Sequence, residues 1–114
     1  MREDGKIDYV ELPAEDMAAQ KAFYAKAFSW AFQDYGPDYQ AFAEGLDGGF
    51  YRPDGETPRR PPLVVLYAQD LEAMEARVKA AGGEITASIF SFPGGRRFHF
   101  RDPGGNELAV WSES

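Results

Sequence analysis

The segment Pro53-Asp54-Gly55-Glu56-Thr57-Pro58-Arg59-Arg60-Pro61-Pro62 constrains this chain more than any other. Four prolines in ten residues remove backbone donors and fix φ so often that neither a helix nor a central strand can run through them. The same succession of elements can be read on either side. With 114 residues in all, neither side has the surface to build a core of its own. The expectation is one domain, residues 1–114, made of two modules, about 6–52 and 63–112, joined by a linker over 53–62.

In the first module, Ile7 to Leu12 alternates as a short strand that Pro13 stops. Asp16 is placed to cap a helix from Met17 to about Phe28, where Ala19, Phe23, Ala27, Tyr24 and Phe28 recur at helical spacing. Trp30–Tyr35, Tyr39–Glu44 and Gly49–Arg52 read as strands, with turns at Gly36-Pro37-Asp38 and Asp47-Gly48. Beyond the linker, Leu63–Gln69 is a continuous apolar strand. Asp70 caps a second helix to about Ala81, striped by Leu71, Met74, Val78 and Ala81 and ended by Gly82-Gly83. Glu84–Phe90, Arg96–Arg101 and Glu107–Trp111 are strands around the turns Pro93-Gly94-Gly95 and Asp102-Pro103-Gly104-Gly105-Asn106. The layout strand, helix, three strands therefore occurs twice, the caps lying 54 residues apart. Each helix covers one sheet face, so the other faces meet each other, meet a partner or enclose a cavity.

Composition narrows the chemistry. Without cysteine there are no disulfides, thiolate metal sites or cysteine nucleophile, and a single histidine rules out sites needing several imidazoles from one chain. A net charge of −7 and a pI near 4.6 argue against nucleic acid. No apolar run approaches the roughly 20 residues that cross a bilayer, and Met1-Arg2-Glu3-Asp4-Gly5 leads into no apolar stretch. A soluble, cytoplasmic protein is expected, with no nucleic-acid or membrane partner.

Four motifs occur in order on this repeated layout: Val10-Glu11-Leu12 with Asp16; Phe23-Tyr24 before Ala27-Phe28-Ser29-Trp30; Ala80-Ala81-Gly82-Gly83; and Phe100-Arg101-Asp102-Pro103-Gly104-Gly105-Asn106-Glu107-Leu108. Together they resemble the vicinal oxygen chelate superfamily of glyoxalase I, bleomycin and fosfomycin resistance proteins and extradiol dioxygenases. The resemblance implies an α+β fold of two βαβββ modules with curled sheets around a cavity, commonly in a homodimer. It also implies a divalent metal held by His and Glu, which stabilises charge on two adjacent substrate oxygens. Carried onto this chain, the metal-ligand positions fall on Tyr9, Val64, Ala109 and a position around Gly49 and Phe50. Valine, alanine and phenylalanine offer no lone pair and neutral tyrosine is a weak ligand, so the expectation is no metal and no other cofactor.

Alternation selects the residues facing a ligand. Tyr9 and Glu11 share a face of the first strand; Val64, Leu66 and Ala68 are assigned to the cavity, with Val65 and Tyr67 toward the helix. Glu107, Ala109 and Trp111 share a face of the last strand, and Arg97, His99 and Arg101 a side of theirs. His99 reads either as a general base or anion-binding group, or as a hydrogen-bonded strand histidine. Glu11 reads either as a lone acid in an apolar pocket or as a rim carboxylate paired with arginine. Arg96, Arg97 and Arg101 either recognise a ligand anion or pair with surface acids. Tyr9, Phe42, Phe50, Phe92 and Trp111 are candidates for a stacking pocket. Three functions fit: a metal-free protein binding a small aromatic or amphipathic molecule; an enzyme, either glyoxalase-like or dioxygenase-like or a metal-free acid–base catalyst using His99 and Glu11; or a structural or regulatory dimer with a filled core.

Overall fold

Asp16 and Asp70 do the same local work. Each sits in extended backbone and accepts a hydrogen bond from the amide three residues on, Ala19 N–H and Ala73 N–H, both at 3.0 Å. In the computed structural model, which describes residues 2–53 and 61–114, these caps open α1 (Met17–Phe28) and α2 (Leu71–Ala80). The linker expected over 53–62 lies outside the described residues except at its ends. The chain divides into two compact units. One is Tyr9–Leu63; the other is Val64–Ser114 with the N-terminal residues up to Asp8. The expected α+β class and the two βαβββ runs are present.

The first unit carries most of β1 (Ile7–Pro13), then α1, β2 (Gln33–Asp34), β3 (Tyr39–Glu44) and β4 (Leu46–Tyr51). Its strand order is β2-β3-β4-β1, with β1 and β4 parallel and the rest antiparallel. Ala14, Met17, Phe42 and Phe50 are buried between sheet and helix, backed by Val10, Leu12, Tyr24, Trp30 and Phe32. Trp30 stacks on Tyr24 at 4.7 Å between ring centroids. The expected strand Trp30–Tyr35 shrinks to Gln33–Asp34 because Trp30 and Phe32 turn into this core. They also take the place expected of Phe23 and Phe28, which are 57% and 60% exposed. The expected turn at Asp47-Gly48 is instead at Gly45, whose φ of 102° suits glycine. Gly48 lies within β4, where a Cβ would strike the Phe42 ring and the Val10 carbonyl.

The second unit carries all of β5 (Leu63–Tyr67) but its first residue, then α2, β6 (Glu84–Phe92), β7 (Gly95–Arg101) and β8 (Glu107–Ser112). Its order is β5-β8-β7-β6, again with the first and last strands parallel. Leu71, Phe98, Val110 and Ala68 are its buried centre, packed by Leu66, Met74, Val78, Ile85, Ile89 and Phe100. An apolar recess of about 40 Å³ remains beside Met74, Val78 and Phe100, room for little more than a water molecule. The N-terminal residues are stitched into this unit. Gly5 N–H donates to the Tyr67 carbonyl at 2.8 Å, Tyr67 N–H to the Lys6 carbonyl at 3.2 Å, and Gln69 N–H to Asp4 Oδ1 at 2.8 Å. Among the described residues, no helix is long and apolar enough to cross a membrane.

Candidate functional site

In the first unit, alternation sends Val10 and Leu12 into the helix-side core and leaves Tyr9 and Glu11 on the opposite face. The pairings Glu11↔Gly49 and Tyr39↔Tyr51 bring Gly49 and Tyr39 to that face. Gly49 is there for a reason: a Cβ would overlap the Tyr39 hydroxyl and ring carbons. The bare backbone lets the Tyr39 ring lie across the strand. Its hydroxyl meets Tyr9 Oη at 2.5 Å and donates to Glu11 Oε2 at 3.1 Å. Burial pushes both phenols above their ordinary value, and the negative charge of Glu11 adds to the effect at each. Both are therefore neutral and hydrogen-bonding at physiological pH.

Phe50 and Phe42 do not line this face. Phe50 is fully buried on the helix side with its ring 5.3 Å from Tyr24 and 5.2 Å from Phe42. It pairs with Leu12 rather than Glu11, and cross-strand partners share a face, so the expectation of Phe50 as a ligand contact is corrected.

In the second unit the sheet face away from α2 carries Ala109 and Trp111 of β8 and Arg97 and His99 of β7, paired Arg97↔Trp111 and His99↔Ala109. His99 Nδ1 lies 3.1 Å from Glu107 Oε2, which also accepts from Thr86 Oγ1 at 3.2 Å. A carboxylate only accepts, so Nδ1 carries a proton in this contact. The Arg97 guanidinium lies 5.5 Å from the Phe90 ring centroid and 5.4 Å from that of Phe92. Phe92 in turn lies 6.2 Å from Trp111, whose Nε1–H donates to Asp8 at 2.9 Å and whose ring is covered by Arg2. Arg96 and Arg101 are engaged elsewhere, with Glu72 at 2.6 Å and Glu84 at 2.9 Å.

The assignment of Val64 and Leu66 to the ligand face is corrected. Leu66 packs against α2 with Met74 and Val78. The pairs Val65↔Ala109 and Tyr67↔Trp111 lie on the face away from α2. Alternation puts Val64 on the side of Leu66. Counting seven residues back from Asp70, as from Asp16 to Tyr9, reaches Leu63, in phase with Val65. Ala109 is on the face away from α2 and fully buried. Among the described residues, no three His, Cys, Asp or Glu side chains gather as metal ligands would. Sequence reasoning missed Tyr39 as a site residue, and it paired His99 with Glu11 rather than with Glu107. The hairpin turn at Asp102–Asn106, which brings Arg101 opposite Glu107, was the signal for that pair.

Comparison with known proteins places this geometry. The chain is 29% identical to the anthracycline biosynthesis protein DnrV of Streptomyces peucetius, over 94% of this chain and 46% of that protein. It is 26% identical to CFP32 of Mycobacterium tuberculosis, a glyoxylase by name, over 94% of this chain and 45% of that protein. The chain thus spans about half the length of the curated relatives it matches. The Mn(II)-bound glyoxalase of Novosphingobium aromaticivorans superposes with a TM-score of 0.68 at 24% identity, over 99% of this chain and 40% of that one. A glyoxalase/bleomycin resistance protein/dioxygenase superfamily member from Vibrio splendidus gives 0.72 at 16% identity, over 94% and 97%. The family model matches residues 6–110, and the chain belongs to the Glyoxalase/Bleomycin resistance protein/Dioxygenase superfamily.

Proposed function

We propose that this chain is a metal-free member of its superfamily that binds a small aromatic or amphipathic molecule. The observation that carries the reading is the donor set at the positions where the family resemblance puts a metal. Leu63 (or Val64) and Ala109 have no lone pair to give. The neutral Tyr9 hydroxyl is hydrogen-bonded to Tyr39. These residues do not fit a divalent ion, and no step is routed through one. Aromatic surface supports the ligand class: Phe92 and Trp111 on one unit's face, Tyr9 and Tyr39 on the other's. The relatives named for anthracycline biosynthesis support a polycyclic aromatic ligand. A cytoplasmic homodimer is part of the same reading. Elemental analysis of purified protein should find no stoichiometric Mn, Fe, Ni or Zn, and calorimetry with polycyclic aromatics should give saturable binding. A stoichiometric metal whose removal abolishes binding would refute the reading. Light scattering at micromolar concentration tests the dimer.

A second reading has its own observation. The His99 ring is held by Glu107, the arrangement that orients an imidazole for proton transfer. A metal-free acid–base enzyme would use His99 with Glu107 beside it, in place of the expected partner Glu11. Turnover unchanged in His99→Ala would remove it.

A further inference from the structure

We infer that the Tyr9–Tyr39–Glu11 chain is a ligand subsite that accepts hydrogen bonds, so that the group it takes is a neutral hydroxyl or amine donor and not an oxyanion. The inference rests on the metal-free binding reading, and it follows from counting protons. A carboxylate has none to give, so the single Tyr39 hydroxyl proton goes to Glu11 Oε2. The contact between the two phenols can then be satisfied only by the Tyr9 proton, donated to Tyr39 Oη. Tyr9 Oη is left with lone pairs alone. Any ligand atom meeting it must bring the proton.

Charge points the same way. Glu11 and Asp47 both bear on the Tyr9 hydroxyl, and an anion placed there would meet two carboxylates. A proton donated to Tyr9 would instead be the first link of a run of three aligned hydrogen bonds ending on a carboxylate, each polarising the next. The site is built rather than incidental, since Tyr39 reaches its place only because residue 49 has no side chain. Its polarity is opposite to that of a metal ion, which attracts substrate oxyanions; Tyr9 attracts a donor. Tyr39 acts here as a positioning residue that turns the Tyr9 proton away from the ligand.

The test compares three probes of one shape, 2-naphthol, 2-methoxynaphthalene and 2-naphthoate, by calorimetry at pH 7 with the intact chain. The expected order is naphthol tightest, methoxynaphthalene weaker by about tenfold for the lost hydrogen bond, and naphthoate weakest. Tyr9→Phe should bring naphthol and methoxynaphthalene to equal affinity. Tyr39→Phe frees the Tyr9 proton and should shift the preference toward methoxynaphthalene, which a merely structural role for Tyr39 would not do. Urea midpoints of both variants show that they are folded. Equal binding of naphthol and methoxynaphthalene by the native chain, or naphthoate binding as tightly as naphthol, overturns the inference while leaving aromatic binding intact. Failure of all three probes to bind overturns the aromatic-binding reading and this one with it.

Discussion

Replacing Gly49 with alanine should have opposite effects depending on what residue 39 is. Glycine to alanine at a compatible backbone stabilises a protein by about 0.4–1 kcal/mol, by reducing the freedom of the unfolded chain. Gly49 has no positive φ, so its backbone accepts alanine. Its new methyl group, however, lands on the Tyr39 hydroxyl and ring. Tyr39 must swing aside and give up its bonds to Tyr9 and Glu11. Two net hydrogen bonds are worth about 1–3 kcal/mol together. The balance in the native background is a loss of up to about 2.5 kcal/mol. With Tyr39→Ala already in place the obstacle is gone, and Gly49→Ala should stabilise by about 0.4–1 kcal/mol. The coupling between the two sites is then about 1–3 kcal/mol, large for a double-mutant cycle. Urea denaturation of the four proteins at pH 7 measures it. Additivity within about 0.5 kcal/mol would show that Tyr39 does not depend on the bare backbone at Gly49, and the account of how the site is built would fall.

Phe50→Ala should destabilise by about 3–5 kcal/mol in the same assay, because the ring is fully buried among Tyr24, Phe32 and Phe42. Phe23→Ala, at an exposed position, should change stability by less than about 1 kcal/mol. Alkaline titration followed at 295 nm should show late-ionising tyrosine that both Tyr9→Phe and Tyr39→Phe diminish, since burial raises both phenols. Their folded values lie above the unfolded value of 10.0. The stability they contribute is accordingly complete below that pH and lost as pH rises through the folded values. Asp102 behaves in the opposite sense. The Asn106 amide holds its carboxyl below the ordinary 3.8, so its contribution is present above that value and disappears as pH falls through the folded one. Asp102→Ala should therefore lower the urea midpoint more at pH 7 than at pH 3, and equal losses at both would contradict this.

What could be read from the sequence was whatever depends on near neighbours. The caps Asp16 and Asp70 act over three residues, and both helices start where they direct. The stripe Leu71, Met74, Val78 reads cleanly because α2 is polar elsewhere. The turn from Asp102 to Asn106 carries its own chemistry, an aspartate accepting the Asn106 amide at 2.9 Å. The phase of β5 was illegible because Leu63-Val64-Val65-Leu66-Tyr67 holds no charged residue to mark one face, and only pairing with β8 decides it. Phe50 misled for a related reason: aromatic character fits a core and a pocket equally well. Tyr39 lies 28 residues from Glu11, and nothing local announces that a glycine on the neighbouring strand makes room for its ring.

The N-terminal residues woven around Tyr67, Gln69 and Trp111 bear on how the protein comes into being. The hydrogen bond from Trp111 to Asp8 joins residues 103 apart. On the ribosome, the residues up to Asp8 emerge before the rest of their unit and must wait for β8 before it can be completed. Tyr9–Leu63, by contrast, has all its strands as soon as Tyr51 is out. Bringing ends about 100 residues apart together costs roughly 2 kcal/mol more in loop entropy than closing a ten-residue turn, a cost that slows folding more than it limits stability. The later-made half should therefore be the last to become resistant to protease during refolding, and a fragment containing only residues 63–114 should lack a partner for the Tyr67 backbone and fail to acquire that resistance.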